Sequence, residues 1–146
     1  MRKASKRKRA YKFRQVDMTD HSDEWWRQAE YDIETADVML HSGRHFYAVF
    51  MCHLSIEKAL KGLYFNVTGQ VPPKTHNLLY LLDQIGDRPE QELQRFVTRL
   101  NTASIATRYP DDLVKMQAVY TADVAKAMIA DSKKVLQWVK MKLYEQ

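Results

Sequence analysis

The sequence predicts an all-α protein in which four or five helices, joined by short loops, form a bundle. In the long segments apolar residues recur at steps of three and four, which is the spacing of one helix face. Three of the four prolines, Pro72, Pro73 and Pro110, fall between these segments. No segment shows sustained two-residue alternation or hairpin turn chemistry, so strands are not expected.

The first two helices are predicted over residues 23–41 and 44–66. Ser42 and Gly43 are typical of a helix end and separate the two segments. The second segment is about six turns long, and we expect it to be the central helix. The apolar stripes are formed by Trp26, Ala29, Ile33, Ala36 and Leu40 in the first helix and by Phe46, Phe50, Leu54, Ala59, Leu60, Leu63 and Tyr64 in the second.

Turn residues divide the rest of the chain into two or three further helices. Gly69 and the pair Pro72-Pro73 force a loop, after which Thr75 is expected to cap a short helix that Gly86 closes. Pro89 suits the first turn of the next helix. The last helix is predicted from near Thr121 to Tyr144. The apolar faces comprise Leu78, Leu79, Leu82 and Ile85, then Leu93, Phe96, Val97 and Leu100, then Val124, Met128, Val135, Trp138, Val139 and Leu143.

Composition favours a single compact domain. A chain of 146 residues with 45% hydrophobic content has room for one hydrophobic core. No apolar run is long enough to span a membrane, and the basic N-terminus lacks the apolar stretch of a signal peptide. We therefore expect a cytoplasmic protein. The single cysteine, Cys52, lies in an apolar helical stretch and is interpreted as a buried hydrophobe rather than a reactive thiol.

The net charge of +5 belongs to the N-terminus and not to the predicted bundle. Residues 1–20 are predicted to be a disordered basic arm, and residues 21–146 to be the helical bundle. The first fourteen residues contain eight basic residues and no acid, so the rest of the chain has 15 basic and 18 acidic residues. The arm is either a solubilising tail or a weak, salt-sensitive contact for RNA or DNA. The eight basic residues of the arm are Arg2, Lys3, Lys6, Arg7, Lys8, Arg9, Lys12 and Arg14.

Three charged or polar residues lie on one face of the predicted central helix. His53, Glu57 and Lys61 are spaced four apart, so Glu57 and Lys61 are expected to form an ion pair within the helix. The simplest interpretation is a solvated stripe. A histidine and a glutamate four apart also suit a metal ion, but no second ligand pair accompanies them, so no metal site is assigned.

Two loops carry unusual polar chemistry. The segment PPKTHNL at residues 72–78 is a rigid turn with His76 expected in the first turn of the helix that follows. The segment RYPDD at residues 108–112 places Arg108 before a proline that breaks the helix. An arginine in such a loop suits a phosphate or carboxylate, because its planar fork donates two parallel hydrogen bonds. It could equally pair with a carboxylate of the chain.

The ordered set of these motifs resembles the HEPN domain (higher eukaryotes and prokaryotes nucleotide-binding). The resemblance covers roughly residues 23 to 142. It implies an antiparallel up-and-down bundle, a homodimer, and work beside a minimal nucleotidyltransferase, often as a toxin–antitoxin pair. Nucleotide binding is a property proposed for the family. The motifs are an early tryptophan followed by Ala29, then GRHFYA at 43–48, EKALK at 57–61, PPKTHNL at 72–78 and RYPD at 108–111.

One departure from the family's ribonucleases bears on function. Those members have an arginine followed four to six residues later by a histidine near the start of the last long helix, whereas no histidine follows His76 here. Arg14 and His21 match that spacing, with six residues between them, but they lie before the first predicted helix, in or beside the arm, so the match is attributed to chance. The resemblance is therefore to a non-ribonuclease branch with an RYPD motif. Ribonuclease activity would need an unrecognised base such as His76.

The resemblance and the loop chemistry together define a candidate nucleotide site. Arg108 is expected to meet a phosphate and Tyr109 to offer a stacking face. The competing interpretation is that Arg108 pairs with Glu57 or Asp111. The aromatic residues Trp25 and Tyr47 are candidates for a dimer interface, and no cofactor is expected. The other residues assigned to the same cleft by resemblance are Glu57, Lys58, Lys61, His76 and Asp111.

Overall fold

The structure, a computed structural model, describes residues 18–145 of the chain. Residues 1–17, which contain the eight basic residues of the predicted arm, lie outside the described part. Within it the all-α class is confirmed, since the described residues form helices and loops without a strand. The helices are α1 (Met18–His41), α2 (His45–Thr68), α3 (Leu78–Ile85), α4 (Gln91–Arg108), α5 (Leu113–Val119) and α6 (Ala122–Tyr144).

A tight turn folds α1 and α2 into an antiparallel pair. The Gly43 amide donates to the Leu40 carbonyl (3.1 Å) and the Arg44 amide to the Met39 carbonyl (2.8 Å), which satisfies the last carbonyls of α1. Gly43 has a φ of 77°, a conformation that disfavours residues with a Cβ atom. The predicted helix end at Ser42 and Gly43 is confirmed.

The α1–α2 pair is held by hydrogen bonds from buried serines and by one close backbone approach. The Ser55 hydroxyl of α2 donates to the Ala29 carbonyl of α1 (2.6 Å), and the Ser22 hydroxyl of α1 donates to the Gly62 carbonyl of α2 (3.3 Å). A Cβ atom at Gly62 would lie 2.9 Å from the Cβ of Trp25. Glycine at position 62 therefore lets the two helices approach closely.

The central helix is α2, which packs against each of the other five described helices. This position is confirmed and follows from its sequence, in which apolar residues occupy most of the helix surface and not one stripe. The remaining helices cover it with narrower apolar faces. Its fully enclosed apolar residues include Ala48, Val49, Cys52, Ile56, Ala59 and Leu60, packed with Leu78, Leu81, Val97, Leu100, Ala125 and Val139 from α3, α4 and α6.

The start of α3 differs from the prediction. Asn77, not Thr75, caps α3, because its side chain accepts hydrogen bonds from the amides of Leu79 and Tyr80. The Thr75 hydroxyl instead accepts from the Asn77 amide (3.1 Å), and His76 lies in the loop before the helix.

The starts of α1 and α4 are also shifted. The first helix begins at Met18, inside the predicted arm. Pro89 is buried but precedes α4, which begins at Gln91, so the prediction that Pro89 lies in the first helical turn is wrong. Both differences lie at helix ends, where local signals are weakest.

The short helix α5 adds to the four or five predicted helices. It has seven residues, it is capped by the Asp112 side chain, and Met116 is its one buried residue. The start of α6 is confirmed, because the Thr121 hydroxyl accepts from the Val124 amide (3.3 Å). Val124 itself is exposed, and the neighbouring Ala125 faces the core instead. None of the helices in residues 18–145 is long and apolar enough to cross a membrane.

We expect Gly62→Ala to destabilise the protein although alanine favours helix. An added Cβ meets atoms anchored by backbone, the Trp25 Cβ at 2.9 Å and the Ser22 carbonyl oxygen at 3.4 Å. Overpacking should outweigh the gain in helix propensity and lower the free energy of unfolding by about 1–2 kcal/mol, measured by urea denaturation. The exposed substitution Gln137→Ala is the control and should change stability by less than about 0.5 kcal/mol. Equal stability of Gly62→Ala and the native chain would contradict the close approach.

Candidate functional site

A row of polar side chains on α2 is buried inside the bundle. His53, Glu57 and Lys61 are 0%, 5% and 9% exposed. The interpretation of this row as a solvated stripe is therefore wrong. Its spacing is that of one helix face, as predicted, but the loop before α3 and the end of α4 lie over that face.

The Glu57 carboxylate is shared by two partners. Lys61 Nζ lies 3.3 Å from Glu57 Oε2, which confirms the predicted ion pair, and His76 Nδ1 lies 2.7 Å from Glu57 Oε1. The His76 side chain is 62% exposed, whereas that of Glu57 is 6% exposed. His53, Glu57, Lys61 and His76 thus form one polar cluster. His76 closes this cluster from outside, with one ring edge on the Glu57 carboxylate and most of the imidazole exposed to solvent.

His53 holds the backbone of the loop that carries His76. Its Nε2 donates to the His76 carbonyl oxygen at 2.9 Å, since a carbonyl can only accept. A neutral His53 then has an unprotonated Nδ1, and this atom is buried without a hydrogen-bond partner among the described residues. Burial lowers the pKa of His53 to about 4, with a further contribution from the Arg108 charge and opposing contributions from the Glu57 carboxylate and the His76 carbonyl.

Arg108 occupies the last turn of α4 beside this cluster. Its guanidinium carbon lies 5.0 Å from the centre of the Phe50 ring, in a cation–π contact. Its Nη2 is buried and has no hydrogen-bond partner in the described residues. Arg108 forms no ion pair there with Glu57 or Asp111, so the interpretation that it staples the loop to α2 through a carboxylate is wrong.

The other candidate residues are less closely associated. Lys58 Nζ lies 2.8 Å from an Asp32 carboxylate oxygen of α1, on a different face of α2 from Glu57, so the structure does not bring Lys58 into the cluster. Tyr109 is 74% exposed next to Arg108, and Asp111 is exposed in the following loop. Their roles in binding a nucleotide stay predictions.

Asn101 is a structural part of the site that the sequence analysis missed. Its side-chain oxygen accepts from the Leu78 amide at 2.9 Å, and its amide nitrogen donates to the Asn77 side chain at 3.3 Å. Asn101 thus ties α4 to the start of α3, just beyond His76. The sequence did indicate a special role for Asn101, because asparagine has a low preference for the middle of a helix and often lies there to make a specific hydrogen bond.

A cleft of about 240 Å³ opens between the start of α2 and α5. Sequence reasoning did not find it, because one wall belongs to the helix that periodicity did not reveal. Burial raises the pKa of the Tyr120 phenol in this cleft. The lining residues are Gly43, Arg44, His45, Phe46, Tyr47, Leu113, Gln117 and Tyr120.

Within residues 18–145, no group of three or more histidine, cysteine, aspartate or glutamate side chains is placed to hold a metal ion.

Comparison with known proteins places these residues in a recognised family. The HEPN domain family matches the chain over residues 22–142, which includes the whole cluster. The fold is similar to the crystal structure of an archaeal HEPN homologue (25% identity) and to that of TT1696 from Thermus thermophilus (27% identity). Each similarity has a TM-score of 0.68 and covers 84% of this chain and 98% of the other. No protein of curated function matches the sequence.

We expect His53 to make stability depend on pH. Unfolded His53 takes up a proton near its ordinary pKa of 6.5, whereas folded His53 stays neutral to about pH 4. The unfolded state therefore binds more protons between these values, and stability falls as the pH is lowered from 6.5 to 4, by about 3 kcal/mol from this residue.

Urea denaturation at a series of pH values measures this effect. His53→Gln keeps a donor for the His76 carbonyl but does not titrate. In this variant the slope of unfolding free energy against pH should therefore lose the His53 contribution. His41→Gln, which changes an exposed histidine, is the control and should retain that slope. An unchanged slope in His53→Gln would refute the assignment.

Proposed function

The chain belongs to the HEPN domain family, and from that membership we propose that it is a non-catalytic nucleotide-binding module. It acts as a homodimer with a minimal nucleotidyltransferase, in a pair of the toxin–antitoxin kind. Arg108 binds a phosphate of the nucleotide and Tyr109 stacks on it. The observation that carries this proposal is that Arg108, at the edge of a buried polar cluster, has an aromatic ring under it and no carboxylate partner in the described chain.

Charge pairing supports Arg108 as the phosphate ligand. Lys61 is paired with Glu57 and Lys58 with Asp32, so the other cations assigned to this site already face carboxylates. The Phe50 ring holds the Arg108 guanidinium but does not neutralise it. A phosphate oxygen would supply both the missing charge and acceptors for the guanidinium donors.

The neighbouring residues support a binding role for this edge of the bundle. Tyr109 is 74% exposed and directly follows Arg108, so its ring is accessible to a base. His76 offers an exposed ring edge that has no hydrogen-bond partner in the described residues. The sequence has no histidine after Arg108 to act as base or acid in the family's ribonuclease pattern, which supports a non-catalytic role.

Exposed apolar side chains support the proposed homodimer. Ile105, Leu113 and Val114, near the end of α4 and in α5, are 71%, 59% and 74% exposed. Covering such a group removes apolar surface from water. Tyr47 is 45% exposed and suits the same interface, whereas Trp25 is half-buried beside Gly62 and contributes less surface.

Two experiments test the proposed assembly. A monomer in analytical ultracentrifugation would contradict the homodimer. Failure to recover a nucleotidyltransferase with the tagged chain from its host would contradict the proposed partner.

A second candidate function is RNA cleavage, favoured by the contact between His76 and Glu57. A buried carboxylate 2.7 Å from Nδ1 of an exposed imidazole is the arrangement that orients a general base. With Arg108 on the phosphate, His76 Nε2 would take the proton of a ribose 2′-hydroxyl, whose oxygen attacks phosphorus. The bond from phosphorus to the 5′-oxygen breaks, and the departing 5′-oxygen takes a proton from water. This function requires that purified protein degrade RNA and that His76→Gln abolish the cleavage. Intact RNA after incubation with the native protein would exclude it.

We expect Arg108→Ala to lower affinity for AMP and ATP by about 10- to 100-fold, the loss typical of a hydrogen bond to a charged group. Isothermal titration calorimetry measures the affinity, and circular dichroism checks that the helices remain. Arg99→Ala is the matched control, because Arg99 lies on the same helix and also rests on a phenylalanine, with its guanidinium carbon 5.8 Å from the Phe96 ring centre. Unchanged affinity in folded Arg108→Ala would refute the assigned site.

A further inference from the structure

The cleft between α2 and α5 lies near Phe50, the α2 residue whose ring contacts the guanidinium of Arg108 from α4. Phe46 forms part of the cleft wall, and Phe50, which carries the Arg108 guanidinium, follows it by four residues. Side chains four apart lie on one helix face and are separated by about 6 Å along the axis. The cleft and Arg108 are therefore neighbours, within the length of a single nucleotide.

The lining of the cleft suits a planar ring and not a cation. None of its eight lining residues is acidic, and Arg44 and His45 are among them. Arg44 forms no ion pair within residues 18–145. The rings of Tyr47 and Tyr120 provide faces on which a nucleobase can stack.

Gln117 adds a polar group in which a hydrogen-bond donor and an acceptor lie side by side. A glutamine side chain presents a donor and an acceptor next to each other, the pattern that pairs with N6 and N7 of adenine. It lies on α5 in the same lining as Tyr120 and opposite the start of α2. The cleft therefore combines stacking surfaces with one group able to read the edge of a base.

The size of the cleft decides how much of a nucleotide it can hold. Pockets that enclose a whole drug-sized ligand have volumes of about 300–1,000 Å³. At about 240 Å³ this cleft is smaller, so it suits a base while the phosphate lies outside it. Arg108, which contacts Phe50 one turn along α2 from Phe46, is a nearby cation without a carboxylate partner in the described chain.

We propose that the cleft is the base-binding half of the nucleotide site, with adenine stacked between α2 and α5 and the phosphate on Arg108. This proposal rests on the proposed function, since it takes Arg108 as the phosphate ligand. It makes an adenosine 5′-phosphate the ligand class. It also assigns specificity to Gln117, Tyr47 and Tyr120, which the phosphate site alone does not require.

The test compares AMP with ribose 5-phosphate, which has the phosphate and sugar but no base. Calorimetry should show AMP binding roughly tenfold or more tightly, as expected for one stacked base. Tyr47→Ala should reduce AMP affinity about tenfold and Gln117→Leu about fivefold, and neither should change ribose 5-phosphate affinity. Gln137→Leu, at an exposed glutamine of α6, is the control and should bind both ligands as the native chain does.

The outcomes separate the cleft from the phosphate site. Loss of both ligands in Arg108→Ala, together with loss of AMP preference in the cleft variants, supports the proposal. Equal affinity of the native chain for AMP and ribose 5-phosphate, with Arg108 still required, overturns the base site and leaves the proposed function intact. Binding of neither ligand overturns both. Tyr47 is 45% exposed and Gln117 is exposed, so these variants should fold, which circular dichroism verifies.

Discussion

A buried carboxylate in the most enclosed helix constrains how this end of the bundle is assembled. Glu57 is 5% exposed, and an unpaired charge in such a position would cost several kcal/mol. One partner, Lys61, comes from the same helix, but the other, His76, must come from a loop 19 residues away. His53 holds the backbone of that loop as well. The chain between α2 and α3 is therefore fixed through both the side chain and the carbonyl of one residue, and Asn101 then ties the start of α3 to α4.

The pairing of charges distinguishes two lysines that stabilise the fold from Arg108, which is available to a ligand. Lys58 and Lys61 each meet a carboxylate that the bundle buries, Asp32 and Glu57. Arg108 meets an aromatic ring instead, and one of its nitrogens is buried without a partner in the described residues. A partly desolvated cation of this kind is costly to the folded state, and an anion that binds it would relieve the cost.

The helices were predictable where apolar periodicity is sustained, and the site was predictable only in part. Long stripes revealed α1, α2 and α6, whereas α5 has seven residues with Met116 alone buried, which is too little for a periodic pattern. Spacing placed His53, Glu57 and Lys61 on one face but could not show that the face is covered, because the cover comes from residues 19 or more positions away. Both Thr75 and Asn77 can cap a helix, and the contact with Asn101, distant in sequence, accompanies the use of Asn77.

The small buried surface of α5, which left no periodic pattern in the sequence, also affects binding. A helix with one buried residue is held to the bundle by little apolar contact, so its docked position is one of the less stable parts of the fold. A ligand seated between α5 and the start of α2 adds contacts that exist only when α5 is docked. A partner that covers Val114, which is exposed on α5 outside the cleft lining, favours the same docked position. Because coupling between two binding events is reciprocal, a ligand in the cleft and a partner on α5 would each increase the affinity for the other, even though they touch different residues of one short helix.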